Sequence, residues 1–215
     1  MRINYIPSGF VATSFGYHYN GYTVIDTRNI ANTGWHVPTA AEFAALGTYL
    51  GGDAVAGGAM KRTDTIWFGT PNTGATNSSG FGGKGCGYRA TTGSYLNMLA
   101  DVFYWCSDGW STYLYNRRLS STSASLLGAG SGLPRNYGAS IRLLCDSSTN
   151  PGYYLGNDGI RYKTVSIGTQ VWVLDCICET KYRNGDTIDV IADSTAWAAA
   201  TSAARCVFDN NEMFR

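Results

Sequence analysis

The sequence predicts an α+β fold with short antiparallel sheets, two helices and long ordered loops. Glycine accounts for 27 of the 215 residues, tyrosine for 15 and tryptophan for 6. This composition is typical of a loop-rich, partly β fold with aromatic surfaces, because a disordered chain lacks aromatic residues. Hydrophobic periodicity marks two stretches as helical, at about 39–50 and 195–205. A chain of this length can bury one substantial core.

The first helix has clear start and end signals. Thr39 and Glu42 have the T-x-x-E spacing of a capping box, in which each side chain bonds the backbone N–H of the other. Pro38 directly before them biases the preceding residue away from helical angles. Apolar residues then recur at helical spacing as far as Leu50, and two glycines follow. The sequence therefore predicts an amphipathic helix over 39–50.

The remaining elements are predicted to be short. Ser194 or Thr195 is expected to cap the second helix. Residues 53–98, rich in Gly, Thr, Asn and Ser, are predicted to be mainly loops. Strands are predicted at 22–25, 64–68, 101–107, 112–119 and 138–145, together with a hairpin that joins 153–155 to 162–167 through Asn157-Asp158-Gly159.

The charge pattern excludes several classes of function. Charged residues make up 14% of the chain, against roughly a quarter in an average domain, and the net charge is +1. Without a Lys/Arg stripe, we expect no nucleic-acid partner. No stretch approaches the roughly 20 apolar residues of a membrane span, so no membrane insertion is expected. The first 20 residues also lack the pattern of a signal peptide, which argues against export by that route.

The six cysteines are expected to be mostly buried free thiols. Cys176 and Cys178 form C-x-C, and no C-x-x-C pair exists, so the spacing of a zinc site is absent. An even number of cysteines favours disulfides only in an oxidising compartment, which the missing signal peptide argues against. We predict no metal and no cofactor.

Several motifs together resemble a known family. GWHVPTAAEFAAL, NSSGFGGKGCGYR, FYWCSDGW and GASIRLLC occur in that order within residues 34–145. They resemble the later part of the Fibrobacter succinogenes major paralogous domain, which is common in Bacteroidetes and their viruses. The family is related to the C-type lectin and sulfatase-modifying-factor folds. The resemblance therefore implies a C-type-lectin-like fold.

The order of the motifs differs from the family. TVSIGTQVWVLDCICETKYRNGDTI, then Trp197 and CVFDNN, resemble the beginning of the same domain but lie at the C-terminal end of this chain. We infer a circular permutation in which residues 1–147 form the later part of the domain and 148–215 its opening β unit. Three alternatives stay open: that unit completes its own domain, completes that of a neighbouring subunit in a homo-oligomer, or folds as an independent module.

The resemblance also separates structural residues from binding residues. His36 is expected to fit the strand-to-helix corner and to bond backbone, since a catalytic or metal-binding role requires partners and the other histidine, His18, lies in a different motif. The residues taken as the structural signature of the fold are Trp35, His36, Pro38, Thr39, Glu42, Trp105, Arg142 and Trp172.

A candidate ligand surface lies in FYWCSDGWSTYLYNRR, residues 103–118. Its aromatic residues have small polar neighbours, a composition that suits stacking on a sugar or anchoring a protein partner. The alternative is that these rings only cover the core. No calcium-binding lectin signature is present, so calcium-dependent sugar binding is not expected. The candidate ligand-binding residues are Trp110, Tyr113, Tyr115, Asn116 and Arg117.

The expected function is binding without catalysis, since no Ser-His-Asp order and no argued carboxylate pair can be found. We expect a virion component (a tail, fibre or capsid decoration) of a virus infecting Bacteroidetes. It would be made in the host cytoplasm and would attach the particle to a host surface glycan or protein, with other virion subunits as partners. The alternative is an extracellular adhesion or carbohydrate-binding module at a bacterial surface.

Overall fold

Two β-sheets frame the molecule in a computed structural model that describes residues 15–212. The strands are β1 (His18–Asn20), β2 (Trp35–His36), β3 (Cys86–Arg89), β4 (Tyr95–Met98), β5 (Asp101–Trp110), β6 (Tyr113–Ser120), β7 (Gly132–Pro134), β8 (Gly138–Ala139), β9 (Leu144–Cys145), β10 (Tyr153–Leu155), β11 (Arg161–Ile167), β12 (Gln170–Val173) and β13 (Arg205–Cys206). The helices are α1 (Gly21–Val24), α2 (Ala40–Tyr49), α3 (Asp53–Met60) and α4 (Ser194–Ala198), and a 3-10 turn covers Phe208–Asn210. The mixed α+β class is thus confirmed.

Residues from both ends of the described chain build each sheet. The larger sheet has the order β13-β1-β8-β3-β5-β6-β7, with β4 paired to β3, and the smaller has the order β10-β11-β12-β9-β2. His18 pairs with Cys206 across β1 and β13, and Trp172 pairs with Leu144 across β12 and β9. The segment after residue 147 therefore supplies strands to both sheets within one chain.

The core is also shared between the two segments. Trp105 and Trp172 are fully buried, and the Trp105 indole donates to the Tyr19 carbonyl at 2.7 Å. The buried Arg142 guanidinium donates to the carbonyls of Phe81 at 2.9 Å and Val173 at 3.0 Å. Buried cations are tolerated when their donors are satisfied in this way. These signature residues therefore hold the layers together.

The first predicted helix is confirmed as α2. Thr39 caps it, its hydroxyl accepting from the Glu42 amide at 3.2 Å, while the Glu42 carboxylate accepts from the Thr39 amide at 2.7 Å. Phe43 and Leu46 are fully buried. The Pro38 carbonyl accepts from a backbone amide of β5, which fixes the corner against the larger sheet.

Two predicted strands near α1 and α3 are wrong. Residues 22–25 fall on α1, because the Asn20 side chain caps a helical turn by accepting from the Thr23 amide at 3.1 Å. Residues 64–68 form a turn in which the amides of residues 67 and 68 bond the Asp64 carbonyl. At 22–25 a side-chain cap outweighs β-propensity, and at 64–68 local backbone hydrogen bonds do so.

The sequence failed to predict α3 because two glycines lie in its middle. A Cβ atom on Gly57 would collide with the Ser125 carbonyl, and one on Gly58 would collide with the Gly74 carbonyl. Glycine normally weakens a helix. In α3 it lets two loops pack directly on the helix backbone, and that tertiary contact is invisible in the local pattern.

Two predicted elements, the strand at 138–145 and the helix at 195–205, are longer than the elements in the structure. Only the ends of 138–145 are strands, as β8 and β9, because the backbone between them bonds to the later segment: the carbonyls of Ile141 and Leu143 accept from the amides of Ile177 and Val173. The second helix covers Ser194–Ala198 instead of 195–205, and its cap is Asp193, not Ser194 or Thr195. The chain leaves the helix because the Ala204 amide bonds the Asn20 side chain at 3.0 Å.

Candidate functional site

The opening motif forms a corner in which His36 bridges two carboxylates. Its Nδ1 lies 2.5 Å from Asp146 Oδ1, and its Nε2 lies 2.9 Å from Glu42 Oε1. The expectation that His36 bonds backbone is therefore wrong, although its place in the corner is as predicted. Burial alone would raise the pKa of Glu42, but hydrogen bonds from Thr39 and the neighbouring imidazole hold it below its usual value. Both ring nitrogens are occupied, so the imidazole has no free nitrogen for a substrate or a metal ion.

The other histidine is enclosed in the core. His18 is buried, and its Nε2 donates to the Cys86 carbonyl at 3.0 Å. Burial lowers the pKa of His18 to about 4, so the ring is neutral at physiological pH. No group of three or more His, Cys, Asp or Glu side chains within residues 15–212 has an arrangement that could hold a metal ion.

Three of the predicted ligand residues have neighbouring rings, which we call the aromatic face: Trp110, Tyr113 and Tyr115. Trp110 and Tyr113 are paired across β5 and β6 and stack with ring centroids 5.6 Å apart at 16°. Tyr115 lies two residues along β6, on the same side, with its ring 5.0 Å from that of Trp110. Trp110 is 45% exposed and Tyr113 39% exposed.

The strand geometry determines which side the rings occupy. Leu114, between the two tyrosines, points the other way and is buried in the core. Gly132 of the edge strand β7 is paired with Tyr115, and a Cβ atom there would collide with the Trp110 ring. The indole therefore rests directly on the backbone of β7. Trp110 and Tyr113 therefore form an exposed platform at this end of the hairpin, and Tyr115 continues it inward, partly buried against the core.

A groove adjoins the aromatic face at Tyr115. It has a volume of about 360 Å³ and is lined by Ala40, Ala41, Ala44, Asp53, Tyr115, Asn116, Arg117, Gly128, Ala129 and Gly130. The small residues of α2 and of the loop before β7 leave space between them. Tyr115 thus joins the platform to the groove, whose lining also includes Asn116 and Arg117.

Asn116 and Arg117 differ from the three rings because their side chains are buried. The Asn116 amide donates to the Ser131 carbonyl at 3.1 Å. The Arg117 guanidinium donates to both carboxylate oxygens of Asp53, at 3.0 and 3.1 Å. The Arg117 side chain is only 3% exposed, whereas that of Asp53 is 42% exposed. A ligand in the groove would therefore meet the carboxylate first.

Sequence reasoning missed Asp53, which brings the only accessible charge among the groove-lining residues. Its position follows from α3, since it is the first residue of that helix and its carbonyl accepts from the Leu126 amide at 2.7 Å. A Cβ atom on Gly47 would collide with the carboxylate, so α2 also confines it. The available signal was an acidic residue directly after Gly51-Gly52, a common helix start.

The fold and the surface define a mixed α+β protein whose sheet edge presents an aromatic platform beside a groove lined mainly by small apolar residues. The chain belongs to the family described as the Fibrobacter succinogenes major domain, which residues 5–144 match. No curated protein and no solved structure gives a significant match. Within residues 15–212, no helix has the length and apolar character needed to cross a membrane.

Proposed function

We propose that this chain is a non-enzymatic binding protein that uses the aromatic face and its groove to recognise a surface glycan. The observation that carries the proposal is a set of three neighbouring rings on one side of a hairpin, of which Trp110 and Tyr113 are exposed and Tyr115 is partly buried. Single exposed aromatic residues are common, but a contiguous set beside a groove is typical of a recognition site. The flat rings suit the C–H faces of sugars, which stack on aromatic surfaces.

The charge of the groove narrows the chemistry of the glycan. Asp53 offers carboxylate oxygens that accept from sugar hydroxyls or from an ammonium group. Arg117 lies beneath that carboxylate and is already bonded to it. In the groove an acidic sugar would meet this exposed negative charge, and the residues that line the groove include no accessible cation. We therefore expect neutral or amino sugars to bind and acidic sugars to be excluded.

A glycan array tests this proposal directly. The labelled full chain is applied to neutral, amino and acidic oligosaccharides, and binding to the best of them is then measured by calorimetry. We expect Trp110→Ala to weaken binding roughly tenfold or more, because buried aromatic anchors supply about 1.4 kcal/mol or more each. Gly132→Ala should weaken binding as well, since it displaces the indole without removing a ring.

The matched control is Tyr49→Ala, which removes a tyrosine that is 65% exposed and lies outside the aromatic face. Its affinity should equal that of the unmodified chain. Equal loss in Tyr49→Ala and Trp110→Ala would contradict the proposed location. Binding to acidic glycans alone would contradict the assigned chemistry, and capture of a surface protein by the same rings would replace the glycan with a protein ligand.

The proposed setting is a virion of a virus that infects Bacteroidetes, with a bacterial cell surface as the alternative. The support for both settings is the family, which is common in Bacteroidetes and in their viruses. Mass spectrometry of purified virus particles and of bacterial surface fractions distinguishes them. Detection only in the surface fraction would remove the virion proposal and leave the binding proposal intact.

We also propose that the domain is lectin-like and circularly permuted. In its support, β13 lies beside β1, and the Phe208 ring is 6.1 Å from the His18 ring, so the ends of the described chain are neighbours. A gene that encodes 148–215 before 1–147 should give a folded protein with similar Tm and glycan binding. Failure of that protein to fold would contradict the permutation. Light scattering of the unmodified chain tests whether residues 148–215 complete a neighbouring subunit instead. A monomer would exclude that arrangement.

A further inference from the structure

A pair of buried thiols joins the two segments of the chain. Cys86 lies on β3, whereas Cys176 follows β12, and 89 residues separate them in sequence. Their sulfurs are 3.7 Å apart, and both side chains are fully buried. The sulfurs are thus in contact without being bonded, and a disulfide requires them to approach to about 2.05 Å.

We propose that Cys86 and Cys176 are a site of reversible oxidation, at which a disulfide forms and covalently joins the C-terminal segment to the first. All six cysteines are free thiols. In the part of the chain that the structure describes, the recorded contact between two sulfurs is that of Cys86 with Cys176. The function of the disulfide is to lock the strands that residues after 147 add to both sheets. The inference does not depend on glycan binding.

The surroundings favour Cys176 as the attacking sulfur. A hydrogen bond from Cys86 lowers the pKa of Cys176 and, together with the nearby charge of Arg142, outweighs the effect of burial. Burial and the same hydrogen bond raise the pKa of Cys86. The Cys86 thiol also has a second acceptor, the Lys84 carbonyl at 3.3 Å. One sulfur is thus prepared as a thiolate and the other as a thiol.

The oxidant is a small-molecule disulfide such as oxidised glutathione. The Cys176 thiolate attacks one of its sulfurs, the S–S bond of the oxidant breaks, and the first glutathione leaves as a thiolate that takes up a proton. Cys86 then loses its proton to solvent and attacks the Cys176 sulfur of the mixed disulfide. The Cys86–Cys176 bond forms, and the second glutathione leaves. Two protein thiols are oxidised, and one glutathione disulfide is reduced to two thiols.

Burial determines when the reaction occurs. Neither sulfur is accessible in the folded chain, so the oxidant must react during folding or during transient opening of the C-terminal segment. The disulfide then closes a long loop and restricts the unfolded chain strongly. We expect oxidation to raise Tm by roughly 10 °C for a chain of this size.

The test uses the full chain, purified with reductant and then equilibrated with oxidised and reduced glutathione. Intact mass should fall by roughly 2 Da, the two hydrogens lost in oxidation. Trypsin should release residues 85–89 linked to residues 164–181, since both peptides end at Lys or Arg and the first contains only Cys86. Tm of the oxidised chain should exceed that of the reduced chain.

Variants assign the second sulfur, because peptide 164–181 also contains Cys178. Cys178→Ala is the matched control, a buried cysteine two residues away, and should still form the link and gain Tm. Cys176→Ala should lose both. A linked peptide that persists in Cys176→Ala, or its absence from the oxidised unmodified chain, would overturn the proposal. The presence or absence of the linked peptide in the unmodified chain decides the proposal even if a variant fails to fold.

Discussion

Glu179 makes the stability of this protein depend on pH in a way that one substitution can isolate. Its side chain is fully buried; Oε2 accepts from the Asp158 amide at 3.2 Å, and Oε1 has no hydrogen-bond partner among the described residues. A Cβ atom on Gly156 would collide with Oε1, so the carboxyl is tightly enclosed. Burial raises the pKa of Glu179 from 4.5 to about 7, even though the Asp158 amide favours the charged form.

The sign of the effect follows from proton binding. Between about pH 4.5 and 7 the folded state holds a proton on Glu179 that the unfolded state has released, so the free energy of unfolding falls as pH rises. The shift corresponds to about 3 kcal/mol over that window. His18 acts in the opposite direction, because its pKa is lowered from 6.5 to about 4 and its contribution rises with pH. The two contributions largely cancel in the unmodified chain.

The substitution Glu179→Gln removes one contribution and leaves the other. The free energy of unfolding of the variant minus that of the unmodified chain should therefore rise by about 3 kcal/mol between pH 4.5 and 7.5. Urea denaturation followed by tryptophan fluorescence at four pH values measures this difference. Ser148→Ala, at an exposed position whose side chain does not titrate, is the control and should give a flat difference. A flat difference for Glu179→Gln would refute the assignment of a buried, protonated carboxyl.

Two further substitutions test the packing that positions the groove. Gly57→Ala should lower the free energy of unfolding by about 3 kcal/mol, because the methyl group meets the Ser125 carbonyl. The control Ala54→Gly, on the exposed side of α3, should lower it by about 1 kcal/mol. Similar losses for the two variants in urea denaturation would contradict the close contact. Lys61→Met should cost about 2–4 kcal/mol, since the buried Lys61 ammonium donates to three backbone carbonyls at 2.7–2.9 Å; a loss below about 1 kcal/mol would show that these carbonyls find other donors.

Prediction succeeded where a local pattern is sufficient. The capping box at Thr39 and Glu42 fixed the start of α2, and hydrophobic periodicity identified the strands at 101–107 and 112–119, which the structure contains as β5 and β6. Prediction failed where contacts with residues far away in the sequence determine the local structure. Gly57 and Gly58 look like loop residues, but loops distant in sequence pack on them and permit a helix. His36 has its partner Asp146 110 residues away, which no local pattern contains.

The sequence by itself determined the family, the α2 corner and the residue types of the aromatic face, because side-chain spacing and capping chemistry act over a few residues. Tertiary structure alone decided that the rings of Trp110 and Tyr113 are exposed while that of Tyr115 is partly buried against the core, since this depends on how the sheet packs. It also brought Asp53 beside Arg117 and Cys86 beside Cys176. Those contacts join residues far apart in the chain, and only the packing of the two sheets determines such distances.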